Sequence, residues 1–175
     1  MLKHILIREE TEADQDVIRK INNLAFEQPQ EGQVIDLLRK QSPGFFSLVA
    51  EYEGEVIGHI LFTPTYIEVA GELKECGYGL APLAVHPDHQ NKGVGSLLCE
   101  TGVDQLKDKG VPFILVLGHD NYYPRFGFEP AVPSGFACQW EGVPDEAFMI
   151  QIFDESALAG YRGVVAYRDE FDLAM

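Results

Sequence analysis

Residues 80–98, LAPLAVHPDHQNKGVGSLL, constrain this chain more than any other stretch. An apolar, strand-like segment ends at Val85, a short polar turn follows, and Gln90-Asn91-Lys92-Gly93-Val94-Gly95 opens a segment with helical spacing. That is the layout of a phosphate cradle. Glycines let successive backbone N–H groups turn toward one point with no Cβ in the way, and a helix starting there carries about half a positive charge at its N-terminus. The spacing therefore predicts an anion site.

The grammar of the loop narrows the anion. A Walker loop needs Gly-Lys-Ser/Thr in that order, but Lys92 precedes Gly93 and Ser96 follows a second glycine. The dinucleotide fingerprint needs a third small residue for close contact of helix and strand, and that position holds Leu98. What remains is Gln-x-x-Gly-x-Gly at a strand–helix junction. Downstream, VPFILVL at 111–117 is a short apolar run beside Pro112 and Gly118 that suits a buried parallel strand. Tyr122-Tyr123-Pro124-Arg125-Phe126-Gly127-Phe128 comes next.

These two segments resemble the GNAT superfamily of acetyl-CoA-dependent N-acyltransferases. Gln90 to Gly95 matches the loop that holds the coenzyme A pyrophosphate, and Tyr123, four residues before Gly127-Phe128, matches the tyrosine on the helix after the fifth strand. With Gly163 to Tyr167 and Phe171-Asp172, the wording is most similar to the YhbS-like branch of predicted bacterial acetyltransferases. The resemblance is strongest over residues 78–130 and looser toward both ends. It implies a single α/β domain over 1–175, with a mixed, mostly antiparallel sheet flanked by helices and a parallel, splayed strand pair around the acyl-CoA site. It further implies transfer of an acetyl group from acetyl-CoA to a primary amine by a direct tetrahedral mechanism, with acetyl-CoA as acyl donor and no metal. By the same resemblance, backbone N–H groups near Leu83, Ala84 and Val85 polarise the thioester carbonyl and bind pantetheine. Gln90, Asn91, Lys92, Gly93, Val94, Gly95 and Ser96 hold pyrophosphate, and Tyr123 protonates the departing thiolate.

Composition limits the partners. With 13 basic and 28 acidic residues the net charge is −15, which disfavours nucleic acid because such binding rests on cationic neutralisation of phosphates. Phosphate binding must then lean on backbone N–H groups, with Lys92 as the nearest cation. No apolar run approaches the ~18 residues of a membrane span, and MLKHILIREE is too short in apolar residues for a signal peptide. No membrane partner is expected and the compartment is expected to be cytoplasmic. A chain of 175 residues can bury a core as one domain. Cys76, Cys99 and Cys138 lack CxxC spacing and read as core residues, and His59, His86 and His89 lack a metal partner at useful spacing.

Along the chain, Ile5 to Ile7 reads as a strand, and Thr11 caps a helix with Val17, Ile18, Ile21, Leu24 and Ala25 on one face. A second helix after Pro29 carries Val34, Ile35, Leu37 and Leu38. Strands follow at 45–52 and 56–62 around Glu53-Gly54, then at 66–69 and 73–85 around Ala70-Gly71. Gly77, Gly79 and Pro82 weaken regular pairing in the last of these. The helix from Gly93 buries Val94, Leu97, Leu98, Gly102 and Leu106 and stops at Gly110. It would bring Val85 beside 111–117, in parallel. Further strands are predicted at 147–153 and 163–167.

The acceptor and the base are the open parts. An amine of pKa about 10.4 is about 4.6 kcal/mol from its reactive form at pH 7, so a base or water chain helps. His119, after the strand at which the site should open, has the right chemistry. Glu27 and Glu31, where GNAT acceptors usually bind, are the other candidates. The acceptor is expected to be a small-molecule or peptide amine, cationic if the surplus acid rims its side of the site, with a homodimer left open. The alternative is a non-catalytic acyl-CoA-binding or regulatory module, against which the intact Tyr123 argues.

Overall fold

The computed structural model describes residues 1–175. In chain order the elements are β1 (Ile5–Glu9), α1 (Gln15–Phe26), α2 (Gln30–Gln41), β2 (Phe46–Tyr52), β3 (Glu55–Val69), β4 (Glu72–Val85), α3 (Val94–Asp108), β5 (Phe113–Leu117), β6 (Glu129–Pro130), β7 (Phe136–Cys138), β8 (Phe148–Ile152) and β9 (Gly163–Ala166). The strands run in the order β1-β2-β3-β4-β5-β8-β6, with β9 pairing both β3 and β7. The pairs β4–β5 and β7–β9 are parallel, whereas β1–β2, β2–β3, β3–β9, β5–β8 and β6–β8 are antiparallel. This is the mixed, mostly antiparallel sheet flanked by helices that the sequence implies. The chain falls into two compact units, one of residues 1–62, 82–103 and 169–175, the other of 63–81 and 104–168.

In the first unit, Thr11 opens a helical turn whose cap is Asp14. The Thr11 N–H and hydroxyl both donate to Asp14 Oδ2, at 2.7 and 2.9 Å, and Arg8 donates to both carboxylate oxygens at 2.7 and 3.0 Å. The Arg8 guanidinium, with the Thr11 donors, holds that carboxyl well below the usual carboxylate range despite its burial. On α1, Ile18 and Ile21 are buried as their period predicts. Leu24 is instead 41% exposed, and the third buried position is Asn22. Its polarity explains why an apolar count overlooks it. Asn22 Nδ2 donates to the Ile18 carbonyl at 2.9 Å and meets His59 Nδ1 of β3 at 3.2 Å. On the other edge of that fully buried ring, Nε2 meets Ser47 Oγ of β2 at 3.0 Å, and Ser47 donates to Glu10, which Arg39 of α2 holds at 2.6 Å. With an amide N–H aimed at Nδ1, this arrangement assigns the neutral Nε2–H tautomer.

The second unit is built on β5. Tyr78, Gly79 and Leu80 of β4 pair in parallel with Ile114, Leu115 and Val116, and β8 covers the other edge from Phe113 to Leu117. The parallel register therefore lies at 78–80, not at Val85 as the sequence reading placed it. The rings of Phe113 and Tyr167 occupy the space over Gly77 and Gly79, where a side chain would collide. Ile67, Phe113, Leu115, Phe136, Phe148, Ile150, Leu158 and Val165 form the core. Helix α3 stops as predicted, with Gly110 N–H bonded to the Lys107 carbonyl at 3.0 Å and Val111 N–H to Leu106 at 3.2 Å. The two strands predicted at 56–62 and 66–69 are one strand running through Pro64. Proline forces the residue before it into extended geometry, which a strand already supplies. Cys99 is buried and its thiol is pushed up to about 12 by desolvation, while Cys76 and Cys138 are half-buried and unbridged.

Burial, reinforced by the Arg39 charge, pushes His59 down from 6.5 to about 3. Glu10, 3.9 Å away, does not reverse this because it is committed to Arg39 and Ser47. Between those two pH values the unfolded chain binds a proton that the folded chain refuses. Stability is therefore full above about pH 6.5 and is lost as the pH falls toward 3. Replacing His59 by Gln should flatten the pH dependence of urea-unfolding free energies over that window by up to one proton, about 1.4 kcal/mol per pH unit. An unchanged slope would show that the native ring already carries the proton.

Candidate functional site

Strand β4 alternates to its end: Ala84 is buried while Leu83 and Val85 are half-buried. His86 then leaves the sheet, its N–H bonded to the Ile57 carbonyl at 2.9 Å. Ile57 is the extra residue of a bulge, because Ala50 pairs with Gly58 while Glu51 pairs with Val56. Pro87–His89 form a single 3-10 turn, capped by His86 Nδ1 accepting from the Asp88 N–H at 3.3 Å. Two side chains close the loop on itself. Gln90 Nε2 donates to the Val85 carbonyl at 3.0 Å, and Lys92 Nζ donates to the Asp88 carbonyl at 2.8 Å.

The turn into α3 uses left-handed backbone at Asn91 (φ 58°) and Gly93 (φ 86°). Asparagine tolerates that region and glycine enters it without strain. Leu97 N–H bonds to the Gly93 carbonyl at 3.0 Å as the helix ladder begins, so the N–H groups of Val94 and Gly95 lie ahead of it at the positive end of the helix. Gln90 to Gly93 are exposed and Val94 is buried, anchoring the helix. No carboxylate occurs between Gln90 and Ser96. Such an arrangement can take an anion.

Tyr123 lies in the other unit. The sequence reading put it on a helix; the structure gives a single 3-10 turn, Tyr123–Phe126, because Pro124 restricts its start and Gly127 ends it in a left-handed conformation. The His119 carbonyl receives the N–H groups of Tyr122 and Tyr123 at 3.1 and 3.4 Å, while the His119 side chain is exposed. Tyr123 is 8% exposed and its ring stands edge-on to Tyr122 and Phe128, with centroids 5.0 and 5.9 Å apart. Gly118 makes room for it: a Cβ there would come within 2.3 Å of the ring. Arg125 lies over the Tyr122 ring at 4.5 Å. From sequence Gly118 reads only as the end of the buried strand and Arg125 only as part of the Tyr122–Phe128 segment, so neither is given these contacts there.

Glu27 and Glu31 flank the junction of α1 and α2. Glu27 ends α1 in left-handed backbone (φ 55°), and Glu31 Oε1 accepts from Gln28 at 2.8 Å. Asn23, Leu24, Glu27, Gln28, Pro29 and Pro87 line a cleft there. Nearby, the buried oxygens Asn23 Oδ1, Gln30 Oε1 and Glu31 Oε2 have no donor. Asn23 and Gln30 had no sequence signal of their own. His86 and His89 stack at 6.0 Å, and no group of three His, Cys, Asp or Glu side chains converges as metal ligands would. No helix is long and apolar enough to cross a membrane.

Residues 15–128 match the acetyltransferase (GNAT) family. The uncharacterized N-acetyltransferase YhbS of Escherichia coli (strain K12) is 34% identical over 169 residues, covering 96% of this chain and 99% of that one. The crystal structure of Escherichia coli YhbS in complex with CoA superposes with a TM-score of 0.85 over 97% of this chain and 92% of that one. A GNAT acetyltransferase from Brucella melitensis in complex with acetyl-CoA, also 34% identical, gives 0.77 over 97% and 99%. The chain is a member of the GNAT acetyltransferase family.

Proposed function

We propose that the chain is an N-acetyltransferase that moves an acetyl group from acetyl-CoA to the primary amine of a cationic small-molecule or peptide acceptor, within a single domain over 1–175. The observation that carries this is the strand–turn–helix junction at 85–96, where the left-handed Asn91 and Gly93 deliver backbone N–H groups to an anion at the start of α3. Relatives of the same family hold CoA and acetyl-CoA. The main chain of Gln90 to Ser96 binds the pyrophosphate. Because Lys92 Nζ is engaged with the Asp88 carbonyl, it braces the loop and adds charge to it. The backbone of Leu83, Ala84 and Val85 takes the pantetheine and polarises the thioester carbonyl. The acceptor amine attacks that carbon directly, so protein groups have only protons to manage. Tyr123 donates to the leaving sulfur, and His119, exposed in the same turn, takes up the acceptor's proton directly or through water.

The acceptor is assigned to the α1–α2 junction. Three buried acceptor oxygens without donors, one of them on the Glu31 carboxylate, and the nearby Glu27 carboxylate suit a ligand rich in N–H groups and positive charge. An ammonium or guanidinium group satisfies them. An anionic acceptor does not, and a neutral one leaves the carboxylate charge unmatched.

Gly93→Val and Gly95→Val should each remove most of the acetyl-CoA affinity in calorimetry, because a branched side chain blocks approach of the phosphates and Gly93 holds φ 86°. Folded variants with unchanged affinity would sink the loop assignment. Lys92→Ala should do less.

Tyr123→Phe should lower kcat about tenfold or more with acetyl-CoA affinity nearly intact, since the hydroxyl acts as the thiolate forms. Turnover within about twofold of the parent makes the ring a packing element.

For matched cationic and neutral amines, kcat/KM should favour the cation, and its advantage should shrink as salt shortens screening from about 30 Å to 8 Å. Equal rates, or equal salt responses, would remove electrostatic selection.

A further inference from the structure

A cleft beside the phosphate loop is lined by Met1, Leu2, Lys3, His4 and Lys92. The short turn Leu2–His4 is closed by His4 N–H donating to the Met1 carbonyl at 2.9 Å. Leu2 seats this turn on the loop: a Cβ at Gly93 would lie 3.1 Å from Leu2 Cδ1. Lys3 and His4 are exposed next to that contact. In a chain of net charge −15 many cations are already matched, with Arg8, Arg19, Arg39, Lys74 and Arg162 each paired to a carboxylate. Lys3 and His4 have no carboxylate partner, and Lys92 is bonded to a main-chain oxygen. The lysine charges of Lys3 and Lys92, with the His4 ring beside them, thus gather without a carboxylate at the rim of the loop.

We infer that this rim binds the 3′-phosphate of coenzyme A. The inference rests on the coenzyme A reading of the loop and extends it to residues that no motif marks. A phosphomonoester carries about −1.5 to −2 charge at pH 7, more than backbone N–H groups alone neutralise. In coenzyme A it is joined to the pyrophosphate through one ribose, so its site must border the loop, and Lys92 belongs to both. The consequence is selection of the 3′-phosphorylated nucleotide by the charges of Lys3 and Lys92, with the His4 ring as a further hydrogen-bond donor.

The test is calorimetric titration of the full chain with coenzyme A and with 3′-dephospho-coenzyme A. The parent should prefer coenzyme A by about tenfold, and the exposed double variant Lys3→Ala/His4→Ala should reduce the preference to within about twofold. The loss should fall on coenzyme A, leaving the dephosphorylated form bound as before, and added salt should narrow the preference in the parent. Equal affinity of the parent for both nucleotides, or a preference that the double variant leaves untouched, overturns the rim assignment while the loop assignment stands. Failure of both nucleotides to bind overturns the two together.

Discussion

The hydrogen bond from the His86 N–H to the Ile57 carbonyl fixes the point at which β4 ceases to be a strand. The bulge makes it available, since the extra residue of a bulge drops out of the ladder with its neighbour strand. From His86 onward the chain satisfies itself locally. The ring of His86 caps Asp88, Gln90 returns to Val85, and Lys92 returns to Asp88. These bonds occupy carbonyls as well as one N–H, so the loop keeps its shape before any ligand arrives. Left-handed backbone at Asn91 and Gly93 then hands the chain to α3, whose buried Val94, Leu98 and Cys99 hold the helix start in place. Moving the bulge by one residue would move the loop with it.

A second constraint is the polar chain from Asn22 through His59, Ser47 and Glu10 to Arg39. It draws one residue from α1, β3, β2, the end of β1 and α2, so each element is registered against the others by hydrogen bonds that tolerate little sliding. Such a network stabilises only while every member is present. Asn22 Oδ1, without a donor, costs about 1–3 kcal/mol by itself. What that cost secures is the orientation of α1 and α2, whose junction carries the oxygens assigned to the acceptor.

The turn from β4 into α3 was legible because main-chain geometry of that kind leaves glycines in the sequence. Tyr123 stood out through its spacing to Gly127-Phe128, and the structure packs it against Phe128. The parallel register was not legible: the residues at 78–80 and 114–116 meet because Phe113 and Tyr167 need the glycine positions of β4, a packing fact absent from local pattern. The helix expected around Tyr123 shrinks to one turn between Pro124 and Gly127, two signals present in the sequence but outweighed by family expectation. The strands expected at 56–62 and 66–69 are one, because β3 continues through Thr63, Pro64 and Thr65. Asn22 was missed because a search for an apolar face skips a buried amide, and the Leu2–His4 turn because a contact with Gly93 across about 90 residues has no local signature.

The same contrast between main chain and side chain bears on the chemistry. A phenol of pKa about 10 facing a thiolate whose acid is near 8.5 is uphill for full proton transfer by about 2 kcal/mol. In the role proposed for it, Tyr123 contributes best as a hydrogen-bond donor whose bond strengthens as charge reaches sulfur, and such a donor works only if it is held in place beforehand. For that proposed role the structure holds the ring in place. Gly118 leaves room beneath the ring, Tyr122 and Phe128 meet it edge-on, and the His119 carbonyl pins the turn by two N–H groups. A ring held on three sides has little rotamer freedom to lose, so in the role proposed for Tyr123 the rigidity of this turn counts for more than the acidity of its hydroxyl.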